Sequence, residues 1–134
     1  MKYLLDTNIC IYIIKRKPPE VIQRFRAYSP VDIGVSSVTV AELEYGAYKS
    51  KNVDKNRAAL HQFLLPLEIV GFSTQATQPY GQTRASLSRQ GLVIGAMDML
   101  IAAQALSQDL ILVTNNTNEF QRIAGLQLEN WVDR

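Results

Sequence analysis

Five side chains in this sequence have the atoms and the surroundings for chemistry: Asp6, Glu42, Asp98, Asn116 and Glu119. Asp6 closes the apolar run Tyr3-Leu4-Leu5 and stands before a helical pattern. That place suits an N-cap as well as a site residue at a strand end. Glu42 completes Thr39-Val40-Ala41-Glu42, the spacing of a capping box, and shares a helix side with Val38 and Tyr45, so partial burial is expected. Asn116-Thr117-Asn118-Glu119 has the same cap-like spacing and follows the apolar run 110–113. Asp98 fits a purely structural role least well. It lies in Gly95-Ala96-Met97-Asp98-Met99-Leu100-Ile101-Ala102-Ala103, so its carboxylate points along an apolar face. The helix dipole returns about 0.3–1 kcal/mol to an acid in the first turn. An unpaired buried charge costs several kcal/mol, and a nearby cation would resolve the imbalance.

The scarce residues narrow the choice of cation. One His and one Cys exclude two-His metal motifs, multi-cysteine zinc sites and an internal disulfide framework, and they suit a reducing cytoplasm. Carboxylate oxygens remain as ligands, which points to Mg2+, with Mn2+ as a substitute. Crowded carboxylates repel one another and raise each other's pKa unless a cation neutralises them. A hard divalent ion can lower the pKa of a water and stabilise charge developing on a phosphate. With no Gly-rich phosphate loop in view, metal-assisted phosphodiester hydrolysis is the chemistry these parts match best.

Such a site needs elements that bring distant acids together. Strands are expected at 2–5, 33–35, 67–70, 110–113 and 127–131. Helices are expected at 7–16, 20–28, 38–49, 54–65, 73–90 and 96–107, with a short one before the last strand. Pro79 implies a kink in the helix 73–90, and Gly91 ends it. The alternation predicts an α/β fold with a mainly parallel central sheet and helices on both faces, in one domain over residues 1–134. Sites in such sheets form beyond the carboxyl ends of the strands, so Asp6, Asp98 and the Asn116/Glu119 pair should face one edge.

Composition adds exclusions. The chain is 47% hydrophobic and 19% charged, as in ordinary globular domains. Asp6 interrupts any signal-peptide pattern, and the run 92–105 is broken by Asp98 and too short to span a membrane. A net charge of +2 says little about partners. Two basic clusters, Lys15, Arg16, Lys17, Arg24 and Arg26, and then Lys49, Lys51, Lys55 and Arg57, read as solvated helix faces before they read as an RNA surface.

Four segments in this order and spacing carry a resemblance: Leu4-Leu5-Asp6-Thr7-Asn8, Ser36-Ser37-Val38-Thr39-Val40-Ala41-Glu42-Leu43, Ile94-Gly95-Ala96-Met97-Asp98-Met99-Leu100-Ile101-Ala102-Ala103 and Leu112-Val113-Thr114-Asn115-Asn116. Together they resemble the PIN-domain family, and within it the VapC-type toxins of bacterial type II toxin–antitoxin pairs. The resemblance spans nearly the whole chain. It implies a three-layer α/β/α domain with Mg2+- or Mn2+-dependent endoribonuclease activity on structured RNA such as tRNA. It also implies a VapB-type antitoxin that wraps the protein and blocks the acidic site, a homodimer, and larger toxin–antitoxin assemblies. The family's acidic positions fall on Asp6, Glu42 and Asp98. Asn116 stands where some relatives carry Asp, and Glu119 matches an acid that others place just before Phe120.

In that reading Asp6 and Asp98 are the main metal ligands, and Glu42 binds metal or orients the attacking water. Glu119 completes the cluster, and Asn116 holds a ligand by hydrogen bonding. Thr7, Asn8 and Thr114 flank the site, where turn and cap duties compete with orienting carboxylates. Tyr12, Tyr45 and Tyr48 are candidates for stacking on unpaired bases, against core or dimer packing, which is expected above all for Tyr45. Cys10 is expected to pack, and His61 to lie on a helix surface. Three rivals are a DNA-directed nuclease on the same fold, a catalytically inactive PIN-like RNA- or protein-binding module, and a phosphoacceptor receiver domain. The first needs further acids and insertions, the second a broken acidic set, and the third paired acids after the first strand.

Overall fold

The computed structural model describes residues 1–132; the last two residues of the domain expected over 1–134 lie outside the described residues. Five short runs form strands: β1 (Tyr3–Leu5), β2 (Ile33–Ser36), β3 (Glu68–Val70), β4 (Ile111–Val113) and β5 (Gln127–Glu129). β1, β2 and β4 are nearly continuous runs of aliphatic residues, as expected of strands covered on both faces. They form one sheet in the order β3-β2-β1-β4-β5, with every pairing parallel. The edge strands carry Glu68, Gln127 and Glu129, whose polar side chains discourage pairing with another chain.

Among the described residues seven α-helices cover the sheet: α1 (Thr7–Lys15), α2 (Pro19–Ala27), α3 (Ser37–Lys49), α4 (Val53–Leu64), α5 (Thr77–Arg89), α6 (Ala96–Ser107) and α7 (Thr117–Phe120). Alternation along each strand divides the core in two. Tyr3, Leu5, Val35 and Val113 pack with Ile9, Cys10, Val21, Leu43 and Leu60 on the side of α1 to α4. Leu4 and Leu112 pack with Leu87, Met99, Ala102 and Phe120 on the side of α5 to α7. The result is a three-layer α/β/α sandwich.

The departures from expectation are local. The helix expected over 73–90 begins as a short 3-10 turn, Thr74–Ala76, before α5. Pro79 is the third residue of α5, where its missing N–H costs no intrahelical bond, so it interrupts no helix interior. Gly91 does end the helix, at φ 72°, with its N–H donating to Ser88 and that of Leu92 to Leu87. β5 stops at Glu129 rather than 131, yet Trp131 is fully buried against Tyr3 and Tyr28. Tyr45 lies exposed on α3 rather than in the core; packing against a second copy, the other place expected for it, is not at issue in a single chain.

Candidate active site

The chain runs β1, β2, β3 to one side of the sheet and then returns to place β4 on the other side of β1. This reversal opens a crevice at the carboxyl ends of β1 and β4. The register sets Leu5 opposite Val113, so the next residues, Asp6 and Thr114, are neighbours at that edge. The Asp6 N–H donates to the Val113 carbonyl at 3.0 Å.

Asp6 serves as the N-cap of α1 and as a buried acid at once. Its Oδ1 accepts from the Ile9 N–H at 2.9 Å, and the residue is only 4% exposed. Burial is the main force on its carboxyl, pushing the pKa from 3.8 to about 6. The charges of Asp98 and Glu42 push the same way, while hydrogen bonds from the Thr114 hydroxyl and the Ile9 N–H oppose them. Asp98 is half-buried in the first turn of α6 behind Gly95. Its pKa is also raised, first by burial and then by Glu42 and Glu119. Asp6 therefore feels Asp98 and Glu42, and Asp98 feels Glu42 and Glu119, across the crevice, although Asp6 follows β1 and the others come from α3, α6 and α7.

Glu42 belongs to no capping box. α3 starts at Ser37, and Ser36 supplies the cap by accepting the Val38 N–H at 3.0 Å. With that position filled two residues upstream of the expected helix start, the Glu42 carboxylate is free to face α1, where it accepts from Thr7 Oγ1 at 2.8 Å. Asn116 precedes α7 but caps nothing with its side chain; its amide donates to the Glu119 carboxylate. The Asn116 N–H donates to Thr114 Oγ1 at 2.9 Å. Thr7 orients an acid in place of the turn and cap duties expected of it, whereas Thr114 serves both, closing the turn to Asn116 and hydrogen-bonding Asp6. The signal was present in the sequence, since each threonine borders a candidate site residue. Asn8 is exposed and makes no side-chain hydrogen bond among the described residues.

A buried polar tie that no sequence pattern announces positions the helices that carry these acids. The Ser36 hydroxyl hydrogen-bonds Gln104 Oε1, and Gln104 Nε2 donates to the Val70 carbonyl at 3.0 Å. Ser36 and Gln104 are both fully buried. The tie locks α6 against the ends of β2 and β3, at the point where α3 begins.

The electrostatics of the crevice are one-sided. Among the described residues, no lysine, arginine or histidine pairs with Asp6, Glu42, Asp98 or Glu119. No three His, Cys, Asp or Glu side chains among those residues converge closely enough to enclose an ion alone. The set is hard oxygen donors, and Mg2+ takes one or two carboxylates while retaining several waters, so the residues fit a partly hydrated divalent ion. His61 lies outside the crevice, on the surface of α4 beside Glu44, and Cys10 is packed in the core. No helix among the described residues is long and apolar enough to cross a membrane.

Comparison with known proteins agrees with this architecture. The PIN domain family model matches residues 3–126. The chain is 48% identical to Ribonuclease VapC2 of Haemophilus influenzae over 132 residues, which cover 98% of this chain and 99% of that protein. It is 44% identical to the tRNA(fMet)-specific endonuclease VapC of Shigella flexneri over 131 residues, 98% of each chain. A solved structure of DNA-bound VapBC from Salmonella typhimurium superposes with a TM-score of 0.93 at 42% identity, covering 98% of this chain and 99% of that one. By sequence and by fold, this protein belongs to the PIN domain family.

Proposed function

We propose that this protein is a VapC-type endoribonuclease toxin that hydrolyses RNA phosphodiester bonds with a divalent metal ion. The observation that carries this reading is the crevice at β1 and β4, where a buried aspartate with a raised pKa faces other acids and, among the described residues, pairs with no basic side chain. A site built at such electrostatic cost is one that a cation stabilises. Relatives named ribonuclease and endonuclease span almost the full length of the chain, which supports the choice of RNA as substrate.

When bound, Mg2+, or Mn2+ in its place, supplies Lewis-acid charge that lowers the pKa of a water and offsets charge on the phosphate. Asp6 and Asp98 would hold the cation. Thr7 fixes the Glu42 carboxylate so that it orients the attacking water and can accept its proton. Glu119 completes the negative set, held by the Asn116 amide. Attack by water leaves a 3'-hydroxyl and a 5'-phosphate. Setting these four acids aside leaves eight acids against fourteen bases on the rest of the chain, a balance suited to an RNA backbone.

Structured RNA, tRNA in particular, is the substrate class we assign, and the cytoplasm the compartment. A VapB-type antitoxin neutralises the protein, with a homodimer as the unit of assembly. An apolar cleft of about 320 Å³ between α1, α3 and α4, lined by Ile11, Ile14, Leu43 and Leu60 and rimmed by Glu42, supports such a covering partner. Solved neighbours are VapBC complexes. The test is cleavage of purified tRNA with Mg2+, with EDTA, and by Asp6→Asn and Asp98→Asn. Loss of cleavage in the last three conditions is expected; undiminished cleavage by either variant overturns the assignment.

A further inference from the structure

The hairpin of α3 and α4 carries features that the acid cluster does not use. Tyr45 and Tyr48 are 66% and 59% exposed, and both lie on the helix that bears Glu42. At a rise of about 1.5 Å per residue they stand roughly 4.5 and 9 Å beyond Glu42 along the axis. A cation lies over each ring: the Lys49 ammonium is 5.4 Å from the Tyr45 centroid, and the Arg57 guanidinium 4.8 Å from that of Tyr48. Arg57 is itself anchored, donating to Glu44 at 3.3 Å. Lys51 and Lys55 follow at the turn and the start of α4, so four bases face two acids, Glu44 and Asp54, between residues 44 and 57.

Exposed rings interleaved with cations match one chemistry well. Ring faces accept unpaired bases, and the cations accept the phosphates between them. Protein-binding patches are poor in lysine, whereas here Lys49 lies over one ring and Lys51 and Lys55 follow close by in sequence. We propose that Tyr45 and Tyr48, with Lys49 and Arg57, form a stacking platform for unpaired RNA nucleotides next to the bond being cut. The platform rests on the ribonuclease reading and extends it: it selects loops and single strands, because bases within a duplex keep their faces covered.

Binding measured in EDTA separates this inference from catalysis. Fluorescence anisotropy of a short labelled single-stranded RNA is compared with that of the same sequence in a duplex, for wild type, Tyr45→Leu, Tyr48→Leu and Tyr45→Phe. Each leucine variant is expected to weaken single-strand binding on the order of tenfold, with duplex binding unchanged and the phenylalanine variant close to wild type. Both tyrosines are exposed, so the variants should melt with the wild type. Wild-type affinity in the leucine variants, an equal loss for duplex and single strand, or a changed oligomeric state with RNA binding intact would overturn the platform. Single-strand binding that follows these expectations in a protein that cuts no RNA with Mg2+ would overturn the ribonuclease reading alone.

Discussion

Replacing Asp6 by Asn should remove the proposed cation ligand and stabilise the metal-free fold. The folded protein holds a proton on Asp6 up to about pH 6, whereas an unfolded Asp releases it near 3.8. Between those values the folded state binds more protons than the unfolded one, so stability falls as pH rises through the window. Above it the ionised, buried carboxylate costs the fold about 3 kcal/mol. Asn keeps the N-cap geometry and carries no charge. Its amide oxygen accepts the Ile9 and Thr114 hydrogen bonds more weakly than a carboxylate does, which returns about 1 kcal/mol. The net gain is about 2 kcal/mol, or about 6–10 °C in Tm for a chain of this size. Thermal melts in EDTA should therefore place Asp6→Asn above wild type at pH 7.5, and the gap should close near pH 4.5. Added Mg2+ should raise the wild type and leave the variant where it was. A variant that melts at or below wild type at pH 7.5, or a gap indifferent to pH, would refute the claim that an uncompensated Asp6 burdens the fold.

Thr7→Val keeps the volume of the side chain and removes the hydrogen bond to Glu42. Cleavage should slow about 10- to 100-fold with little change in Tm, as measured by initial rates and melting on one preparation. Gln104→Leu leaves the Ser36 hydroxyl and the Val70 carbonyl without their side-chain partner in a fully buried place. Urea titration should show a loss of about 1–3 kcal/mol, and a loss below about 0.5 kcal/mol would remove the tie from the account.

The layers of this fold are legible in the sequence because its strands are short, apolar and sharply bounded. Asp6 ends one such run and Thr114 another, and a parallel sheet whose order reverses between them must bring their ends together. Asp98 could be singled out by a conflict visible in sequence alone, an acid within Met97-Asp98-Met99-Leu100-Ile101. Glu42 and Asn116 were harder, because cap spacing and site spacing look alike over four residues. For Glu42 the cap reading fails, because Ser36 takes the α3 cap and Thr7 reaches the Glu42 carboxylate from another helix, 35 positions away in sequence. Gln104 was unreadable for a similar reason: its partners, Ser36 and Val70, lie 68 and 34 positions away. Tyr45 lies outside the core because the α3 surface it occupies is open to solvent, although an aromatic ring beside Val38 and Glu42 reads in sequence as core or dimer packing.

The acids gathered at the ends of β1 and β4 are proposed to hold a divalent cation. Calorimetric titration of the metal-free protein with Mn2+ tests this most directly, at pH 7.5 and again at pH 5, with Asp6→Asn and Asp98→Asn alongside. Saturable binding by wild type at pH 7.5, weakened at pH 5 as Asp6 takes up a proton and abolished in both variants, is what the account predicts. Equal binding by wild type and either variant, or affinity that does not change between the two pH values, would contradict it.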